Sequence, residues 1–93
     1  MAKFYERTNT YTRVSEIKPR NGKKFGLDEV QALIGGYVEV IHLKDDNIIL
    51  IDEDGLYKNL QINFQATKAA GQLGWPFSEW LVGNALICKD NEF

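Results

Sequence analysis

Hydrophobic and polar positions along the chain fall into short runs that change period several times. From Leu33 to Gly55, LIGGYVEVIHLKDDNIILIDEDG, the pattern passes from a helix end through a strand, a tight polar turn, a second strand and a second turn. It leaves no gap for a catalytic loop. Just before it, Leu27, Val30, Leu33 and Ile34 recur at spacings of three and four, which predicts a helix over 27–34. Gly26 is its N-cap, Glu29 takes the third helical position of a capping box, and Phe25 can staple onto Val30. Asp28 and Glu29 also suit the positive end of the helix dipole. Gly35 closes the helix in a left-handed conformation that other residues resist. The order helix, Gly-Gly, strand is the reverse of a phosphate-cradling glycine loop, which runs from a strand into a helix N-terminus.

On either side the pattern is that of strands and one more helix. Residues 3–18 mix β-formers (Phe4, Tyr5, Thr8, Tyr11, Thr12, Val14, Ile17) with charges and read as one or two exposed strands. Pro19 stops pairing, and Lys18 to Lys24 form a basic turn. Strands are expected over 37–43 and 48–52, joined by a turn at Lys44-Asp-Asp-Asn47. Ile48 to Ile51 are continuously apolar, as for a strand covered on both faces. Asp54-Gly55 is a short-turn signal leading into Leu56-Tyr57. Asn63 caps a short helix over Phe64–Ala70 that ends at Gly71 or Gly74. Trp75 to Trp80 is an irregular aromatic insert, and Ala85 to Cys88 a closing strand entered through Gly83-Asn84. The expected fold class is α+β, a small, mainly antiparallel sheet with two short helices packed on it.

Length and composition narrow the picture. Ninety-three residues make one domain, with residues 1–24 as a basic, strand-rich arm and turn and residues 25–93 as the α+β core. Its core is thin enough for homo-oligomerisation to help stability. No apolar run approaches the roughly 20 residues that cross a bilayer, and the start, MAKFYERTNTYTR, has no apolar export segment. The single cysteine, Cys88, cannot form an internal disulfide, so a cytoplasmic location is expected. Charge is divided unevenly. Residues 1–26 carry seven Lys or Arg against two Glu, and residues 27–93 four Lys against eleven Asp or Glu. Such a division suits an anionic ligand or head-to-tail assembly. The acidic whole, with a pI near 5.3, argues against nucleic acid as a partner.

Candidate chemistry is sparse. His42 is the only histidine, and Cys88 lies in an apolar strand, so a His–Cys nucleophile pair reads as an inert buried thiol. Asp45-Asp46 and Asp52-Glu-Asp54 fail the calcium-loop spacing and read as solvated turns. Glu39 interrupts an apolar strand on the face of Tyr37 and Ile41, as an exposed or ion-paired residue. Lys18, Arg20, Lys23 and Lys24, beside backbone amides, could hold a phosphate or an acidic surface. Trp75, Phe77 and Trp80 either plug the core or form an exposed stacking platform. No catalytic constellation, metal set or cofactor motif emerges.

These signals resemble a family of small phage and mobile-element proteins catalogued as domain of unknown function 3846. The matching stretches are Ile17-Lys-Pro-Arg-Asn-Gly22, then FGLDEVQALIGGYVE from Phe25 to Glu39, then Ile51-Asp-Glu-Asp-Gly55, then Asn63 with Ala66-Thr67, and Val82-Gly83. The longer N-terminus and the Trp75–Trp80 insert depart from the family pattern. The resemblance implies a bacteriophage or plasmid context inside a bacterial host and brings no catalytic residues. The leading expectation is a non-catalytic binder that antagonises host antiviral defence. It would sequester a nucleotide-like immune signal or block a defence protein through Arg20, Lys23, Lys24, Tyr37, Trp75 and Trp80. The alternatives are an interaction module docking a phage or host protein through a strand edge, and, third, an enzyme degrading a signalling nucleotide with His42 as acid or base.

Overall fold

The computed structural model describes residues 2–76 and 78–93. Five strands form one antiparallel sheet: β1 (Ala2–Arg7), β2 (Thr12–Ile17), β3 (Val38–His42), β4 (Asn47–Asp52) and β5 (Ala85–Lys89), in the order β2-β1-β5-β4-β3. Helix α1 (Leu27–Ile34) covers one face and α2 (Phe64–Gln72) the other, giving the expected α+β class. Strand alternation divides the core between the two faces. Phe4, Ile48, Leu50, Leu86 and Cys88 meet Val30 and Ile34 of α1, whereas Tyr5, Ile49, Ala85 and Ile87 meet Ala66 and Ala70 of α2. Ile48, Ile49 and Leu50 are buried on both sides, which explains their unbroken apolar run.

The helix signals in α1 act together. Glu29 Oε1 accepts from the Gly26 amide at 3.3 Å and its Oε2 from the Arg20 amide at 2.9 Å, tying the basic turn to the helix start. Gly35 ends the helix at φ 92°, donating its N–H to the Gln31 carbonyl at 2.8 Å. The β3–β4 turn places Asp45 and Asp46 at φ 58° and 59°, a left-handed pair that Asp tolerates better than most residues.

Two expectations change. The N-terminal segment is not an exposed arm throughout: β1 is an inner strand between β2 and β5, and only β2 lies at the edge. Pairing with β5, from the far end of the chain, places its buried Phe4 beneath α1 with Ala2 and its Tyr5 beneath α2. Helix α2 runs two residues past the expected Ala70, through Gly71 to Gln72, because a glycine inside a packed helix weakens it without ending it. Of the two expected ends it takes the second, capped at Leu73 with Gly74 following at φ 102°. Strands β3 and β4 are Val38–His42 and Asn47–Asp52, within a residue of the expected ends.

Candidate functional site

Asn63 sets the geometry of the α2 face. Its side chain is fully buried, with Oδ1 accepting from the Ala66 amide at 3.0 Å as the helix cap. Nδ2 donates to the Tyr5 carbonyl at 3.1 Å and to the Gly83 carbonyl at 2.8 Å. Thr67 Oγ1 accepts from the Leu81 amide at 2.9 Å, and the Asn63 amide donates to the Leu81 carbonyl at 2.8 Å. The segment leaving the aromatic insert is thereby fixed beside α2, with Ile62 bridged to Val82.

A groove of about 370 Å³ opens between this segment and strands β3 and β4, of which β3 is the sheet edge. Ile41, Ile51, Leu81 and Val82 line it together with Trp75 and Trp80, and Leu56 lies at its margin, 78% exposed. Trp75 is half-buried against the α2-face core, and its Nε1 donates to the Glu79 carbonyl at 2.8 Å. Trp80 is 54% exposed and packs edge-on to Phe64, with ring centroids 5.3 Å apart at 76°. The insert therefore divides its labour: Trp75 completes the core and Trp80 presents a face to solvent. Phe77 lies outside the described residues.

The charges round the groove are of one sign. Glu39, Glu53, Glu79 and Asp52 contribute to its lining, and among the described residues no Lys or Arg does. Asp52 is neutralised by Lys58 at 2.7 Å. Glu39, Glu53 and Glu79 have no ion-pair or side-chain hydrogen-bond partner among the described residues. Nor do three His, Cys, Asp or Glu side chains converge there as metal ligands, among the described residues. Carboxylates spread round tryptophan faces suit an organic cation, which the ring quadrupole and the carboxylates both attract.

The expected site residues separate into three places. Trp75 and Trp80 meet at the groove. Tyr37 precedes β3 and borders a different hollow, with Gln31, Gly36, Asp54 and Lys58, and so leaves the face shared by Glu39 and Ile41. Arg20, Lys23 and Lys24 are exposed in the turn before α1, which belongs to the opposite layer of the fold from the tryptophans. The amides of that turn are also engaged. Asn21 Oδ1 accepts from Lys23 and Lys24 at 2.8 and 2.9 Å, Glu29 takes the Arg20 amide, and Gly22 donates to the Pro19 carbonyl. A phosphate at this turn would meet side-chain ammonium and guanidinium groups without those amides.

His42 and Cys88 both lie in register with Ile48, which stands between them, so two strand spacings, about 10 Å, separate the two backbones. Burial, with lesser help from Glu92, pushes the Cys88 thiol up to about 12, which keeps it protonated at neutral pH. A second, polar cleft lies where β1 ends and β5 begins, lined by Arg7, Asn9, Asn59, Gln61 and Asn84. Arg7 Nε is committed there to the Ile62 carbonyl at 2.8 Å, and Asn84 Oδ1 to the Arg7 amide at 2.8 Å.

Glu53 and Glu79 were not legible as site residues, because each reads locally as a turn or loop charge. Glu39 did carry a signal, as the one charge in an otherwise apolar strand. Among the described residues, no helix is long and apolar enough to cross a membrane.

The family model for the Domain of unknown function DUF3846 matches residues 4–93, so the chain belongs to that family. No curated protein and no solved structure gives a significant match.

Proposed function

We propose that this family member is a non-catalytic binding module whose acidic, tryptophan-lined groove takes a basic segment of a polypeptide partner. The observation that carries this reading is the pairing of Trp75 and Trp80 with three glutamates, Glu39, Glu53 and Glu79, that have no ion-pair or side-chain hydrogen-bond partner among the described residues, round one apolar floor. Apolar lining supplies affinity by burial, at roughly 25 cal/mol per Å². A Lys or Arg side chain over Trp80 adds about 0.5–2 kcal/mol of cation–π attraction. The glutamates speed encounter and select the sign of the partner. Following the resemblance to small phage and mobile-element proteins, the partner is a host polypeptide and the role is antagonism of antiviral defence. Sequestration of a nucleotide-like signal has less support, since such a ligand is anionic where the groove is acidic, and the basic turn lies in the other layer.

The chain has two tryptophans, both at the groove, so their emission reports on it without a label. A synthetic heptapeptide alternating Arg with Val should give a saturable change in that emission, weakened by salt and by Trp80→Ala. A change of equal size and affinity with a Glu–Val peptide, or none with the Arg–Val peptide, rejects the reading.

A further inference from the structure

The strand that borders the groove also has an unused backbone edge. Glu53 donates to the Tyr37 carbonyl at 2.9 Å and Leu43 to the Asn47 carbonyl at 2.8 Å, bracketing the β3–β4 ladder. In an antiparallel pair, hydrogen-bonded residues alternate. With Glu39 opposite Ile51 and Ile41 opposite Ile49, the odd-numbered residues of β3 bond to β4. The N–H and C=O groups of Val38, Val40 and His42 therefore point away from the sheet. None of them has a hydrogen-bond partner among the described residues, and no strand lies beyond β3.

Sheet edges in stable monomers are usually blunted by Lys, Pro or a bulge. The other edge, β2, carries the Arg13–Glu6 ion pair at 2.7 Å across its surface. β3, with the sequence VEVIH, has neither Lys nor Pro, and its five residues pair in unbroken register with β4. Val40 at its centre is 39% exposed. The side chains of β3 that face the groove, Glu39 and Ile41, stand one charged and one apolar along that edge.

Resting on the binding reading above, we infer that the partner's basic segment enters as a sixth strand on the free edge of β3. Its backbone bonds to Val38, Val40 and His42. Every second side chain, a Lys or Arg, then falls on the groove side, its charge near Glu39 or its aliphatic stem along Ile41 and Trp75, while the intervening apolar side chains fall on the opposite face beside Val38 and Val40. The charge pattern selects the partner: a Lys or Arg at every second position meets Glu39, Glu53 and Glu79, and an acidic strand meets repulsion.

The test uses the full chain and the Arg–Val heptapeptide, compared with the same peptide N-methylated on the amides of one edge. Val40→Pro removes the outward N–H of Val40 and no bond to β4, and Val40→Ala is its control. Strand addition predicts that Val40→Pro and N-methylation each weaken binding about tenfold or more, the worth of one or two hydrogen bonds, while Val40→Ala does not. The N-methylated peptide keeps the test valid even where Val40→Pro perturbs the fold. If the methylated peptide and Val40→Pro both bind normally while Trp80→Ala weakens binding, the groove stands and strand addition falls. If the unmodified peptide does not bind at all, the groove reading falls as well. A dimer of the free protein in sedimentation that Val40→Pro dissociates would place a second copy on the edge and overturn the inference.

Discussion

Lys58 Nζ lies 2.7 Å from Asp52 Oδ2, and Gly36 passes so close that a methyl group on it would sit 2.5 Å from that ammonium. Asp52 is an almost fully buried carboxylate whose other oxygen, Oδ1, accepts from the Asp54 amide at 2.8 Å. This ion pair holds the 53–59 loop, which carries Glu53 and Leu56, against the end of β4. The second glycine of the Gly35-Gly36 pair thus has its own reason: the first ends α1, and the second makes room for the pair.

Lys58→Met keeps the aliphatic stem and strands the Asp52 charge. We expect a loss of about 1–3 kcal/mol in urea unfolding, at the low end because Lys58 is partly exposed. Adding Asp52→Asn to Lys58→Met should recover part of it, and a double-mutant cycle that shows no coupling rejects the pair's role. Gly36→Ala should also destabilise, since the pair must shift to admit the new methyl.

Asn63→Ala removes the α2 cap and leaves the Tyr5 and Gly83 carbonyls without their donor. The expected cost is about 2–4 kcal/mol, read as a lower urea midpoint with an unchanged slope. Asn63→Asp retains the cap but turns the donor into an acceptor facing two carbonyls. Its stability relative to wild type should therefore improve as pH falls and the carboxyl becomes a donor.

The two tryptophans should separate in stability as they do in burial. Trp75→Ala opens the α2-face core and should cost about 2 kcal/mol or more. Trp80→Ala, more than half exposed, should cost under about 1 kcal/mol yet weaken peptide binding. Equal stability losses in thermal melts would show that Trp80 is a packing residue.

Cys88 gives a pH dependence with a fixed sign. Its folded value of about 12 lies above the ordinary thiol value of 9.0, so its contribution to stability is full below about 9 and is lost as pH rises toward 12. Cys88→Ala should flatten that part of the alkaline stability profile. In the native wild type, thiol reagents at pH 8 should react only as fast as the protein opens, and rapid native labelling would contradict the burial argument.

Local signals were legible wherever a few neighbouring residues decide the outcome. The Gly26–Gly35 boundaries of α1 and the Asn63 cap follow from contacts within one turn. The inner position of β1 was not legible, because its partner β5 lies at the far end of the chain and a strand's own residues do not say who pairs with it. Asn63 shows the same limit within one side chain: Oδ1 caps locally, whereas Nδ2 reaches Tyr5 and Gly83 across the fold. For the candidate site, the aromatic insert and Glu39 stood out as residues that broke their local pattern. Glu53 and Glu79 fit theirs, and only the packing of separate segments brings them to the groove. The basic turn was conspicuous in sequence, yet strand parity alone could not say that it would sit in the layer opposite the tryptophans.

The measurement that tests the groove most directly is nuclear magnetic resonance shift mapping of the isotope-labelled full chain on addition of the Arg–Val heptapeptide. The account predicts saturable shifts centred on the Trp75 and Trp80 indoles and on Glu39, Ile41, Ile51, Glu53, Glu79 and Val82, joined by the Val38, Val40 and His42 amides where the peptide adds as a strand, with Arg20, Lys23 and Lys24 unmoved. Shifts centred on the Arg20–Lys24 turn, or none at the two indoles, would contradict it.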